Sequence, residues 1–338
     1  MTLNILFALL LCGMLALSES VGTVAQDGSG AATPAVSGGG LDGATRWLVS
    51  QQADDGGFAG PSGVSDPGAT LDALMALAAA EHAGIDTGDA IGRAVAWLES
   101  GDVALVYAQT GVGQAAKLAL GLSAAGVSPA GFANVDPLMI VQNGVDPGTG
   151  LYGSGVFDHA LAVLALVATG NDVPATAIEA FAATQAENGG WAFDASTDPA
   201  MADSNTTSLA IQALVAAGEG ESDLVANGLT YLDSVTLEGG AGYSTLPETL
   251  PDANSTALLI QALIATGREV SAPIEALGTF QNASGAFHYH PEDTSDNLYA
   301  TSQAIPTLAL LALPIEAAEP SGTPVAFQDS WAVWNSPR

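Results

Sequence analysis

An internal repeat constrains this chain more than any other feature of its sequence. Six stretches rich in alanine and leucine recur, and their anchoring leucines lie 43, 46, 48, 49 and 45 residues apart, at Leu77, Leu120, Leu166, Leu214, Leu263 and Leu308. A period in the mid-forties with apolar residues at helical spacing is typical of a helix pair, one amphipathic and one apolar on all sides. Because an apolar helix must be buried, each unit is predicted to place one helix inside and one outside.

Six such pairs predict an all-α fold that closes into a ring. An open solenoid needs polar capping repeats at its two ends, and the sequence shows none. The first unit, near Leu77, is therefore expected to pack beside the sixth, near Leu308. The predicted repeat domain covers residues 41–315, and 48% hydrophobic residues give it enough material for a large core.

The joint between the two helices of a unit carries a second repeated pattern. A glutamine is followed four residues later by a glycine and two residues after that by an aromatic: Gln52, Gly56 and Phe58; Gln185, Gly189 and Trp191; Gln281, Gly285 and Phe287. A glycine past a helix end adopts positive φ, the glutamine bonds unpaired backbone groups, and the aromatic covers the turn. We call each set a clasp and predict a structural role for it.

With Trp47 ahead of the first clasp, this pattern resembles the QW repeat of squalene and oxidosqualene cyclases. More broadly it resembles the prenyltransferase and squalene oxidase repeats. The resemblance implies an α/α toroid of about six helix pairs, here in a secreted branch of bacterial type. The segment DNLYATSQAIPTL, residues 296–308, is in addition similar to surface proteins related to the transcobalamin family. That weaker similarity implies a carrier of cobalamin-type ligands as an alternative function.

The resemblance also implies where catalysis would occur. Class II cyclases carry the motif D-x-D-D-T-A at the start of an inner helix, and its middle aspartate protonates the substrate. The matching segments here are DANSTA and DSNTTS, which place Asn254 and Asn205 at the donor position. An amide is not a general acid. We therefore expect a non-catalytic protein with no catalytic residues, and a divergent squalene-type cyclase acting on a prenyl substrate stays the alternative.

Metal and cofactor chemistry is not expected either. The zinc prenyltransferases of this superfamily hold their metal through a cysteine, whereas the only cysteine here is Cys12, inside the leader. His288 and His290 alternate around Tyr289, but two histidines alone make a weak metal site. The sequence predicts no metal and no cofactor.

Polar residues at the starts of the inner helices are the candidate site. Aspartate, asparagine and serine suit helix caps, and we expect capping to stabilise the charged form of Asp203 and Asp252. Inner helices of a toroid start at one end of the ring, so these residues are expected to converge around an acidic mouth over an apolar cavity. The candidate ligand-binding residues are Asp66, Asp158, Asp203, Asn205, Asp252, Asn254, Asp296 and Asn297.

Charge and the terminal segments complete the prediction. A formal charge of −31 argues against nucleic acid and against an anionic bilayer surface as partners. Residues 1–25 contain a short apolar run typical of a signal peptide, residues 26–40 read as a flexible linker, and residues 316–338 as an irregular tail. We thus expect an exported binding or surface-interaction protein with no membrane span in the mature chain and an unknown small or lipid-like ligand.

Overall fold

The computed structural model describes residues 39–318, and α-helices are the main secondary structure of this part of the chain. Its α-helices are α1 (Gly40–Ser50), α2 (Pro67–His82), α3 (Ala90–Glu99), α4 (Val103–Ala108), α5 (Val112–Ala124), α6 (Pro137–Asn143), α7 (Val156–Ala168), α8 (Ala175–Thr184), α9 (Ser204–Ala216), α10 (Asp223–Val235), α11 (Ala253–Ala265), α12 (Ser271–Gly278) and α13 (Leu298–Leu308). The predicted leader, most of the linker and most of the tail lie outside the described residues.

Six of these helices form an inner ring. In order around it they are α2, α5, α7, α9, α11 and α13, and each packs against the next. The ring closes because α13 also packs against α2, so the predicted neighbourhood of the first and sixth units is confirmed. The remaining helices surround the ring, which makes the fold an α/α toroid.

Apolar sequence explains why these six helices are the inner ones. In α2 every residue from Thr70 to Ala80 is buried, and α7 and α11 are buried over most of their length. Neighbouring inner helices run parallel, since the Gln261 amide of α11 donates to the Thr307 hydroxyl of α13 at 3.2 Å near the same level of the ring. Alanines at many contact positions let the helices approach closely.

The second unit departs from the two-helix pattern. Its outer layer is divided into α3 and α4, and Gly101 between them adopts φ +56°. This is the unit whose joint has lost the clasp glycines in the sequence. A break in the outer helix therefore replaces the tight reversal used elsewhere.

Short extended and 3-10 segments occupy the joints. Strand β1 (Trp191–Ala192) pairs antiparallel with β2 (Ala202–Asp203), and β3 (Thr236–Leu237) pairs antiparallel with β4 (Gly240–Ala241). Two 3-10 turns cover Phe132–Asn134 and Pro199–Met201. The first pairing places Trp191 opposite Asp203, which ties a clasp to the start of inner helix α9.

The segment that follows α13 crosses the end of the ring where the inner helices finish. The Leu313 amide donates to the buried Gln212 side chain of α9 at 2.9 Å, and Ala317 comes close to Gly126 beyond the end of α5. Between them Ile315 is buried. We call residues 309–318 the strap. Within residues 39–318, the strap covers this end of the ring and leaves the opposite end, where the inner helices begin, as the open one.

Candidate functional site

The clasps join each unit to the outer helix of the next. The Gln52 side-chain amide donates to the carbonyls of Gly56 and Ala90, each at 2.8 Å. Gln185 does the same with Gly189 and Leu224, each at 2.9 Å. The second partner lies at the start of the following outer helix in both cases. These glutamines therefore hold the turn and the inter-unit contact together.

The clasp glycines and aromatics are equally confined. Gly56, Gly189 and Gly285 have φ of +97°, +87° and +96°, and an added Cβ would lie 2.3–2.6 Å from a carbonyl oxygen of the next outer helix. The aromatics that follow, Phe58, Trp191 and Phe287, are fully buried. None of these side chains is available to a ligand.

A feature that the sequence analysis missed fixes the clasps to the inner helices. The fourth residue of four inner helices is a threonine whose hydroxyl accepts the backbone N–H of the joint at 2.9 Å, namely Thr70, Thr207, Thr256 and Thr301. In α7 this position is His159, whose Nδ1 accepts the Tyr152 N–H at 3.0 Å. The recurring threonine four residues after each cap was the available signal.

The open end of the ring, which we call the mouth, is where the inner helices begin. Asp66, Asp203, Asp252 and Asn297 are the N-caps of α2, α9, α11 and α13, and each accepts a backbone N–H from its own first turn at 2.7–2.9 Å. Helices α5 and α7 begin after Gly111 and Gly155 instead. Four of the eight candidate residues thus serve as caps.

The expected lowering of the cap pKa values is wrong for the two buried aspartates. Burial raises the pKa of Asp203 to about 6, although the Thr206 N–H opposes the rise. Burial also raises the pKa of Asp252 against the hydrogen bonds from Ser255. Desolvation outweighs capping because both side chains are almost completely removed from water.

Two further candidates bond within their own surroundings and do not face a common centre. Asp158 accepts the Ser154 N–H at 3.0 Å and the Ser154 hydroxyl at 2.8 Å. Asp296 accepts the Asn282 side-chain amide at 2.7 Å and the Ser284 hydroxyl at 2.9 Å, within the last joint. Their carboxylates therefore organise loops.

Asn205 and Asn254 occupy the second position of α9 and α11, at the mouth. Asn254 is 2% exposed, yet neither its side-chain oxygen nor its nitrogen has a hydrogen-bond partner. Leaving a buried donor and acceptor unpaired costs about 1–3 kcal/mol each. This amide is therefore an unsatisfied polar group at the place where the cyclase motif would carry its acid.

An ion pair that the sequence analysis did not single out lies one turn below the mouth. The Lys117 ammonium of α5 is 2.7 Å from the Asp72 carboxylate of α2, and their side chains are 16% and 8% exposed. Burial by itself lowers the pKa of Lys117, but Asp72, Tyr107 and Tyr299 together raise it, so the ammonium stays charged. Burial raises the pKa of Asp72 against the effect of Lys117. Each residue is the sixth of its helix.

Aromatic side chains lie near the starts of the inner helices, and two of them, Tyr107 and Tyr299, act electrostatically on Lys117. Phe157 and Tyr299 are the second residues of α7 and α13, and the Phe157 ring lies 5.5 Å from the Phe193 ring. Burial raises the pKa of Tyr107 to about 12, which keeps its hydroxyl protonated. We call these residues, with Tyr243 and Tyr289, the mouth aromatics. All are partly exposed, unlike the clasp aromatics: Tyr107, Phe157, Phe193, Tyr243, Tyr289 and Tyr299.

At the level of the ion pair and below it, the other inner helices fill the ring. Leu161, Leu209 and Leu258, at the sixth position of three other inner helices, are at most 8% exposed. One turn further down, Leu120, Leu164, Gln212 and Gln261 are at most 2% exposed. A chamber wide enough for water would leave these side chains more accessible. Among the described residues the predicted apolar cavity is therefore filled at and below this level. The surface above it, between Asp72, Lys117 and the mouth aromatics, remains for a ligand, and we call this surface the depression.

Depressions also lie elsewhere on the described surface. Open depressions of about 370 and 490 Å³ lie outside the ring, one beside Val127 and Leu138 and the other beside Leu105 and Met139. Within residues 39–318 no three His, Cys, Asp or Glu side chains gather in a way that would hold a metal ion. Nor does this part of the chain contain a helix with the length and apolarity that crossing a bilayer requires.

Comparison with known proteins supports the fold. No family model matches the sequence, and no curated protein matches it. Among solved structures, the type II terpene cyclase MstE from Scytonema superposes with a TM-score of 0.58 at 16% identity over 82% of this chain and 98% of the cyclase. A variant of the same cyclase in complex with its substrate, geranylgeranyl dihydroxybenzoate, gives a TM-score of 0.55 at 15% identity over 80% of this chain and 95% of the cyclase. The chain therefore has a terpene cyclase-like toroid fold.

Proposed function

We propose that this chain is a non-catalytic binding protein that takes a small ligand at the mouth of its ring. The unpaired side-chain amide of Asn254 carries this proposal, because a buried donor and acceptor at an open end are suited to a bound molecule. Amides at the second position of α9 and α11 offer hydrogen bonds where a cyclase needs an acid.

The ion pair and the aromatics support a binding role as well. Lys117 and Asp72 provide donors and an acceptor, and partly exposed rings provide apolar surface around them. A few convergent polar groups beside apolar side chains are characteristic of ligand sites.

The terpene cyclase alternative has two structural difficulties. Asp203 and Asp252 cap their helices and accept backbone N–H groups there, while the donor position two residues later is occupied by Asn205 and Asn254. An amide is not a general acid. The interior is also filled below the sixth residue of each inner helix, which leaves little room for a long prenyl chain.

Two assays test the proposal. We expect one class of small molecule, drawn from lipids, prenyl alcohols, corrinoids and saccharides, to raise the melting temperature of the wild type and not that of Asn254→Leu. We also expect squalene and geranylgeranyl diphosphate to be recovered unchanged after incubation with the protein. Formation of a cyclised product that Asp252→Asn abolishes and the exposed control Asp42→Asn retains would replace the binding function with a cyclase.

Export is part of the same proposal. The apolar run Ile5–Leu17 supports a cleaved signal peptide, and the acidic composition suits an extracytoplasmic protein. Detection of the protein in a culture supernatant, with an N-terminus between residues 18 and 26, tests it.

A further inference from the structure

The repeat itself shows which mouth residues the fold does not require. The sixth residue of each inner helix occupies the same level of the ring: Asp72, Lys117, Leu161, Leu209, Leu258 and Gln303. Three units fill this level with leucine. The other three place a charged or amide side chain there, and all three belong to the neighbouring helices α13, α2 and α5. One side of the depression is therefore polar and the other apolar.

The ion pair is unfavourable as a purely structural element. Removing two charges from water costs several kcal/mol for each ion, and replacing a buried pair by apolar residues is often neutral or stabilising. Lys117 is the only lysine or arginine on an inner helix of the described chain. A leucine at this level packs well in the other units, so selection for folding alone does not account for the pair.

Unpaired polar atoms occur at the same levels. Asn254, at the second position of α11, lies one turn above Leu258 on the same helix face. The hydroxyls of Ser208 and Ser302, next to the sixth residues of α9 and α13, are buried and have no hydrogen-bond partner. Each hydroxyl or amide has capacity to donate and to accept. The Asn254 amide by itself therefore offers both kinds of hydrogen-bonding group to an occupant of the mouth.

The ion pair favours a neutral occupant. Lys117 and Asp72 compensate each other, so their pair has no net charge to offer an ion. The formal charge of −31 in addition repels anions at long range. Hydroxyl groups fit this pair, because each can donate to Asp72 and accept from Lys117 at the same time.

The rim adds a surface for a ring. Phe157 stands on the apolar side, next to Phe193, and Tyr299 stands on the polar side within the electrostatic reach of Lys117. Partly exposed aromatic faces pack against the C–H face of a saturated ring and leave its hydroxyls free to point inward. The aromatic side chains and the Asp72–Lys117 pair thus suit different parts of one molecule, the first its C–H face and the second its hydroxyl groups.

We propose that the mouth binds an uncharged sugar ring, with hydroxyls hydrogen-bonded to Asp72, Lys117 and the Asn254 amide and one face against Phe157 or Tyr299. This inference rests on the proposed binding function and adds the chemical class of the ligand. A saccharide satisfies the unpaired amide and the compensated ion pair without bringing a charge. Its ring needs only a shallow depression.

The experiment measures binding of the purified chain to a panel of neutral oligosaccharides by glycan array, followed by calorimetry on the best binder. The double variant Asp72→Leu/Lys117→Leu copies the leucine of the other units and should keep the fold, as judged by its melting temperature. We expect it to lose at least tenfold in affinity, and Asn254→Ala to do the same. The matched control is Asp42→Ala/Arg46→Ala, which removes an ion pair of 2.6 Å on the outside of the ring and should bind as the wild type does.

The outcomes separate this inference from the proposed function. If no neutral saccharide binds while a lipid, prenyl alcohol or corrinoid does, the sugar assignment is wrong and the binding function stands. If no class binds, both are wrong. Saccharide binding that the double variant and Asn254→Ala leave unchanged also overturns the inference, because the sugar would then lie elsewhere.

Discussion

Gln281 and Gly40 are joined by two hydrogen bonds although 241 residues separate them in the chain. The Gln281 amide donates to the Gly40 carbonyl at 2.8 Å, and the Gly40 N–H donates to the Gln281 side-chain oxygen at 3.1 Å. Gln52 and Gln185 donate in the same way to the outer helix of the following unit. In the last unit the equivalent partner is α1, the outer helix of the first unit. The same interaction that joins neighbours therefore closes the ring.

Gln281→Ala should loosen the ring at this junction. It removes the hydrogen bonds to Gly40 and Gly285, and we expect a loss of about 1–3 kcal/mol in the free energy of unfolding. Because Gln281 holds the first residue of α1, hydrogen exchange of residues 40–50 should increase. Gln185→Ala is the matched control, since it removes equivalent bonds but should leave α1 protected. Equal exchange of α1 in both variants would contradict the closing role of Gln281.

Trp191→Ala should destabilise the protein by about 3–5 kcal/mol. The indole is fully buried, and its N–H donates to the Phe181 carbonyl at 2.9 Å. Chemical denaturation measures the loss. Trp97→Ala is the control, because that indole is only partly buried and its N–H donates to the exposed Asp55 carboxylate at 3.1 Å. This substitution should therefore lower the free energy of unfolding by less. Unchanged stability together with lost ligand binding would mean that Trp191 belongs to a ligand site.

Asp203→Asn should gain stability relative to the wild type as the pH rises from acidic to neutral. The folded-state pKa of Asp203 is about 6 against an ordinary value of 3.8, so the folded protein holds a proton that the unfolded chain has lost between these values. The wild type thus loses stability as pH rises from about 4 to above 6, by up to about 3 kcal/mol. Asparagine keeps the N-cap and does not titrate. Urea denaturation of both proteins at pH 4.5 and 8 measures the difference, and a pH-independent difference would show that Asp203 is ionised normally.

His159 should produce the opposite dependence. Burial lowers its pKa to about 4 from 6.5, although the Nε2–H bond donated to the Ala177 carbonyl at 2.9 Å opposes this shift. The unfolded chain binds this proton first, so stability present above pH 6.5 is lost as pH falls toward 4, by up to about 3 kcal/mol. His159→Thr, which introduces the residue found at this position in four other units, should reduce that acid-dependent loss. Denaturation midpoints at pH 7 and 4.5 test this, and an equal loss in both proteins would exclude His159 as its source.

The fold was largely predictable because its signals are local. Helical periodicity, the glycine after the helix in each clasp and the aspartates at the helix starts all depend on residues within a few positions of one another. Repetition of these signals at a nearly constant spacing was enough to predict six helix pairs and their closure. The second unit was harder, since the loss of its glycines does not by itself reveal the break at Gly101.

The site depended on distances and burial that no local pattern contains. The sequence determined the ring, its clasps and the caps of its inner helices, including Asn205 and Asn254 in place of an acid. Only the tertiary structure brought Lys117 to Asp72, buried Asp203 deeply enough to raise its pKa, and laid the strap across one end of the ring. The reason is physical: hydrogen bonding and periodicity act between residues close in sequence, whereas desolvation and charge pairing depend on what the folded chain places around a side chain.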